Sequence, residues 1–145
     1  MKQSAPLEIG IPVMDLDRMV AFYCDVFSCE ELRRAEIPSE LSQAIGVTPE
    51  GYTNVWLQFP GGEVVKLVRP ITPPEPRDTP PYSAALTGIA YFTLYCEDIA
   101  EAVARAEEAG AELVSERALS ENPGPVQLAF LRDPEGNVFE FVQSL

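Results

Sequence analysis

A chain of 145 residues, 46% hydrophobic and 23% charged, has the length and ordinary composition of one soluble globular domain with a real core. Its formal net charge of −13, from 10 Lys and Arg against 23 Asp and Glu, excludes a nucleic-acid partner, because no basic patch of useful size can form. Histidine is absent, which removes Ser-His-Asp triads, Cys-His dyads and every imidazole-based metal site.

The opening "MKQSAPLEIG" has no apolar h-region, and no apolar run approaches the roughly 20 residues needed to span a bilayer. A cytoplasmic location and no membrane partner are therefore expected. From Leu7 an alternating run leads to Asp15, which stands at a helix N-cap position. Leu16, Met19, Val20 and Tyr23 then fall at helical spacing. Cys24 and Cys29 bracket the expected end of that helix, and Cys96 falls in a later strand. The three thiols lack the CxxC spacings of zinc or redox sites and read as buried structural residues.

Next comes "EIPSELSQAIGVTPEG", in which Leu41–Gly46 reads as a short helix with an apolar side. This 36–50 segment is either an insertion packed on a rim or a lid that excludes water. The hairpin "VWLQFPGGEVVKLV" follows, turning at Pro-Gly-Gly. Six prolines in the twenty residues "RPITPPEPRDTPPYSAALTG" then mark a semi-rigid connector rather than a sheet interior.

The pattern then begins again. "AYFTLYCED" alternates into Asp98, a second N-cap, and Ile99, Ala102, Val103 and Ala106 continue at helical spacing up to Gly110, a C-cap. Glu101, Arg105, Glu107 and Glu108 read as a solvated helix face. "SERALSENPGP" reads as a loop, and "AFLRDPEGNVFEFV" as a closing hairpin with one carboxylate, Glu140, between two phenylalanines.

Superposing the two caps sets Glu8 against Tyr91; superposing the turn glycines Gly62 and Gly136 sets Lys66 against Glu140 and Trp56 against Phe130. Glu8 to Lys66 spans 58 positions and Tyr91 to Glu140 spans 49, so the first unit carries about nine extra residues. Each unit reads β-α-β-β-β. The expected fold is α+β, two βαβββ modules in pseudo-symmetric tandem within a single domain at 1–145, with module one at 5–70, the connector at 70–87 and module two at 88–145.

"GIPVMDLDRMVAFYCDVF" and "DPEGNVFEFVQ" resemble the opening and closing motifs of the vicinal oxygen chelate superfamily, which includes glyoxalase, bleomycin-resistance and extradiol dioxygenase proteins. The resemblance covers nearly the whole chain. It implies curled mixed sheets lining a cleft, a small-molecule ligand or substrate, and a homodimer. In metal-dependent members four side chains from the first and fourth strands of each module line the cleft. Those positions are Glu8, Lys66, Tyr91 and Glu140 here, and only Glu140 matches the usual residue type. Glu8 and Tyr91 stand where His is commonest, and Lys66 where Glu is usual.

A lysine ammonium has no lone pair to offer a metal, so no metal and no cofactor are expected. Lys66 could simply neutralise two inward carboxylates. Alternatively, Glu8 or Glu140 serves as a general base while Lys66 and Tyr91 stabilise an oxygen as it becomes negative. Trp56 and Phe130 would wall the substrate site, and Thr93 and Tyr95, which alternate with Tyr91, would add polar contacts. The leading expectation is metal-independent proton-transfer chemistry, by an isomerase, epimerase or lyase, on a small, mostly apolar molecule. One alternative is a non-catalytic antibiotic-binding protein of the bleomycin-resistance type; another is a metal enzyme with unusual ligands.

Overall fold

A computed structural model describes residues 2–116 and 127–143, and the chain divides into two compact units, Met1–Glu75 and Pro76–Leu145. In the first unit, β1 (Glu8–Pro12) leads into α1 (Leu16–Phe27), then β2 (Glu30–Ile37), α2 (Ser39–Ala44), β3 (Tyr52–Gln58) and β4 (Val64–Pro70). The sheet order is β1-β4-β3-β2, with β1 and β4 parallel and the other pairs antiparallel.

The second unit repeats this plan. A short 3-10 turn at Ser83–Ala85 precedes β5 (Phe92–Cys96), α3 (Ile99–Glu108), β6 (Glu112–Leu113), β7 (Gln127–Arg132) and β8 (Val138–Gln143). Its sheet order, β5-β8-β7-β6, and its parallel β5–β8 pair reproduce the first sheet strand for strand. These are two open mixed sheets in an α+β tandem of βαβββ modules, as the sequence repeat implies.

Both long helices start where the sequence places their caps. Asp15 Oδ1 accepts the Arg18 backbone N–H at 3.1 Å, and Asp98 Oδ1 accepts that of Glu101 at 3.0 Å. Helix α3 is followed by Gly110 at φ +100°, whereas the turn after α1 is made by Ser28 at φ 56°. Met19, Phe22, Tyr23, Val26 and Phe27 of α1 are buried, as are Val55, Leu57, Val65 and Leu67 on one face of the sheet. The α1 rings meet edge to face, with Tyr23 and Phe27 centroids 5.1 Å apart. In module two Ile99, Val103 and Ala106 of α3 are buried, as are Ala129, Leu131, Phe139 and Phe141. Each large apolar side chain so buried contributes about 1.5–3 kcal/mol. Strand alternation points the intervening side chains, Trp56 and Lys66 in one sheet and Phe130 and Glu140 in the other, to the opposite face.

The extra residues of module one contain α2, but its packing differs from a helix that buries an apolar side. Leu41, Ile45 and Val47 are exposed, and the buried residue is Ser42, whose hydroxyl lies 2.9 Å from the Thr48 carbonyl. The sequence "LSQAIG" thus folds around a polar anchor, with its apolar side chains open to solvent.

The closing turn is built on Asp133, which is buried. Its Oδ1 accepts the backbone N–H groups of Glu135 and Asn137, each at 2.9 Å, and its Oδ2 accepts the Asn137 side-chain amide at 2.9 Å. Gly136 sits at φ +87°, and a Cβ there would lie 2.9 Å from the Thr79 methyl, so the turn requires glycine. Asp133→Ala is expected to destabilise the chain by about 2–3 kcal/mol, because it strands buried donors. Urea unfolding would read this as a lower midpoint at unchanged slope; an unmoved midpoint would count against the turn as a structural staple.

All three cysteines are free. Burial pushes the Cys29 thiol up to about 12, and burial followed by nearby Asp25 and Glu31 raises that of Cys24. Cys96 is raised in the same way, by burial and then by Asp98. Thiols held in the neutral form are poor nucleophiles, which fits a structural role.

Candidate functional site

The open face of the first sheet is organised in cross-strand rows. Lys66 on β4 stands opposite Gly10 on β1 and Trp56 on β3, and Trp56 in turn stands opposite Arg33 on β2. Gly10 leaves room on β1, and Lys66 Nζ reaches along it to Glu8 Oε2 at 3.1 Å. The two side chains are 32% and 43% exposed, so water screens the pair, and it is not the buried ion pair that inward carboxylates would have required. Across the row, the Arg33 guanidinium carbon lies 3.7 Å from the Trp56 ring centroid.

The open face of the second sheet carries the matching row. Glu140 on β8 stands opposite Thr93 on β5 and Phe130 on β7. Thr93 Oγ1 donates to Glu140 Oε2 at 2.6 Å, while no described residue bonds the other carboxylate oxygen. Tyr91, just before β5, packs its ring edge to face on Phe130, with centroids 4.9 Å apart and planes at 87°. Tyr95 shares this face by alternation but is 75% exposed, with no described contact.

The register therefore reproduces the residue pairing read from the two turns. Gly10–Lys66–Trp56 in one module corresponds to Thr93–Glu140–Phe130 in the other, which leaves Glu8 equivalent to Tyr91. Within module one the structure joins Glu8 to Lys66 and stands Trp56 beside Lys66. Within module two it joins Thr93 to Glu140 and Tyr91 to Phe130. Beyond Glu116, the loop "SERALSENPGP" falls outside the described residues.

Sequence reasoning missed Arg33. A β-bulge between Glu31 and Arg33 takes up Leu32 as an extra residue, so that Arg33 rather than Leu32 lands opposite Trp56. It also missed that Asn54, on the same face as Trp56, is only 4% exposed and that its buried Oδ1 has no hydrogen-bond partner among the described residues. A run of charged residues on an edge strand gives no local sign of a bulge. A buried orphan acceptor depends on neighbours distant in sequence.

The donor chemistry does not suit a divalent cation. No group of three His, Cys, Asp or Glu among the described residues is arranged to hold one. Lys66 places an ammonium against Glu8, where it offers hydrogen-bond donors and no lone pair. A cation there would face a like charge at close range. No helix among the described residues is long and apolar enough to cross a membrane.

Comparison with known proteins agrees with this architecture. The chain is 30% identical over 148 aligned positions to a lactoylglutathione lyase of Arabidopsis thaliana, covering 94% of this chain and 43% of the relative. It thus spans less than half the length of the curated relatives it matches. A glyoxalase family protein of Bacillus cereus shares the fold at TM-score 0.82 and 24% identity, covering 100% of this chain and 97% of that one. A fosfomycin resistance protein of Listeria monocytogenes, complexed with Mn(II) and sulfate, shares it at TM-score 0.61 and 15% identity, covering 99% and 95%. The family model described as Glyoxalase/Bleomycin resistance protein/Dioxygenase superfamily matches residues 6–141, and the chain belongs to that superfamily.

Proposed function

We propose that this protein is an enzyme of the superfamily that moves a proton on a small, mostly apolar carbonyl compound without a metal ion. The observation that carries the reading is the Lys66–Glu8 contact of 3.1 Å, which puts a cation with its own counter-ion where metal-dependent relatives would need a ligand. With Glu8 engaged by Lys66, Glu140 is the better base. Thr93 holds one of its oxygens and leaves the other without a described partner.

In this reading Glu140 takes a proton from the carbon beside the carbonyl. The electron pair moves onto the carbonyl oxygen, where the Tyr91 hydroxyl donates a hydrogen bond. Where the carbon that lost the proton bears a hydroxyl, that hydroxyl's proton passes to the former carbonyl oxygen and the abstracted proton returns to the former carbonyl carbon, which gives an isomerase. Returning it to the opposite face of the original carbon gives an epimerase. Expelling a β-substituent instead gives a lyase. The curated relatives named lactoylglutathione lyases support this class and make lactoylglutathione the first compound to try. The family resemblance carries a homodimer with it, and the cytoplasmic location expected from the sequence is proposed alongside. A second reading, a non-catalytic binder of cationic drugs, is favoured by the net charge of −13. The cations Arg33 and Lys66 on one open face weigh against it.

The test is solvent-deuterium incorporation into lactoylglutathione and a panel of small carbonyl compounds, before and after dialysis against a strong chelator. Exchange is expected, at a rate chelation leaves unchanged. Activity lost on chelation and restored by a divalent ion would overturn the metal-free reading. Ligands bound tightly and recovered without deuterium would establish the binder.

A further inference from the structure

We infer that the open face of module one is an oxyanion subsite, with Arg33 as the residue that selects a ligand bearing a carboxylate, phosphonate or phosphate group. This deepens the enzyme reading by naming the substrate class, and it rests on that reading only for the claim that the bound anion is a substrate.

Three observations converge on the same face. First, in a chain with 23 acidic residues against 10 basic ones, the Arg33 side chain makes no ion pair or hydrogen bond with any described residue. Its sequence neighbour Arg34 behaves otherwise, bonding Asp17 at 3.0 Å and Glu31 at 3.3 Å. Lys66 has Glu8. Glu30, opposite Gln58 on the face of Arg33, forms no ion pair with it.

Second, the guanidinium is positioned rather than left to wander. The bulge at Leu32 brings it opposite Trp56, and the indole ring holds it from one side at 3.7 Å. Stacking occupies the guanidinium face and leaves its in-plane N–H donors, which match an oxyanion two at a time. Third, Asn54 lies two residues along β3 on this face, 4% exposed, with an Oδ1 that has no hydrogen-bond partner among the described residues. A buried unpaired acceptor calls for a donor. A ligand hydroxyl or N–H beside the anionic group supplies one. Lys66, in the row beyond Trp56, adds a second cation on a strand whose backbone lies two strand spacings, roughly 10 Å, from that of Arg33.

The reporter is built in, because Trp56 is the chain's single tryptophan. Its fluorescence would be followed while benzoate, phenylphosphonate, benzyl alcohol and benzylamine are titrated into the wild type, Arg33→Met, Arg33→Lys and Glu140→Gln. In the wild type the two anions are expected to give saturable changes, with benzyl alcohol and benzylamine at least tenfold weaker. Arg33→Met is expected to weaken anion binding tenfold or more. Arg33→Lys should recover only part, because an ammonium keeps the charge and loses the stacked fork. The relative affinities of benzoate and phenylphosphonate show which oxyanion geometry the site prefers. Glu140→Gln should bind the anions as the wild type does, so failure of the catalytic reading leaves this readout intact. Benzylamine binding best, or anion binding unchanged in Arg33→Met at a normal melting temperature, would overturn the inference.

Discussion

Glu140→Gln is expected to lower kcat by about 10²–10⁴-fold, the range associated with loss of a positioned general base. The geometry makes this substitution informative. The glutamine carbonyl can still accept the Thr93 hydroxyl that Glu140 Oε2 accepts at 2.6 Å, so the side chain keeps its anchor. It also keeps its place opposite Phe130 and Thr93 on a strand whose neighbours Phe139 and Phe141 are buried. The change therefore removes a basic oxygen and little else. Because the lost interaction belongs to the transition state, kcat and kcat/KM should fall together while KM stays near its wild-type value. The melting temperature should stay within a degree or two. A kcat within threefold of wild type would remove Glu140 from the chemistry. A rise in KM alone would make it a binding contact.

Much of the fold was legible because its determinants are local. An Asp before a run with helical spacing caps a helix wherever it stands, and Asp15 and Asp98 both do so. Gly62 and Gly136 both adopt positive φ, so aligning the two turns aligned the strands behind them, and Lys66 fell opposite Trp56 as Glu140 does opposite Phe130. The site's less legible half depends on pairing between distant strands. Nothing local in "EELRRAEI" says that Leu32 bulges and hands the place over Trp56 to Arg33. The absence of a partner for Asn54 Oδ1 among the described residues is likewise a property of the neighbourhood. In α2 the apolar residues suggested a packed side, whereas the hydrogen bonds of Ser42 to the Thr48 segment provide its anchor. Periodicity reports which side chains could be buried; competing polar contacts decide which ones are.

Lys66→Met separates the two roles open to the Glu8–Lys66 pair. Were the pair a buried charge neutraliser, removing the ammonium would leave an uncompensated carboxylate and cost about 3–5 kcal/mol. Solvent reaches both partners, however, with Glu8 43% and Lys66 32% exposed, so the carboxylate can be hydrated when its partner goes. Exposed pairs of this kind contribute about 0–1 kcal/mol. Methionine also keeps most of the apolar stem against Trp56, the cross-strand neighbour of Lys66. The expected loss in stability is therefore about 1 kcal/mol or less, which corresponds to a few degrees in Tm for a chain of this size. Turnover should respond far more strongly. If turnover uses the ammonium as a hydrogen-bond donor to the substrate, its loss is expected to lower kcat about 10²–10³-fold. Thermal melts and steady-state rates on one preparation give both numbers. A fall in Tm above about 10 °C with turnover retained would make Lys66 a structural counter-ion, whereas a small Tm change with collapsed turnover assigns it to the reaction.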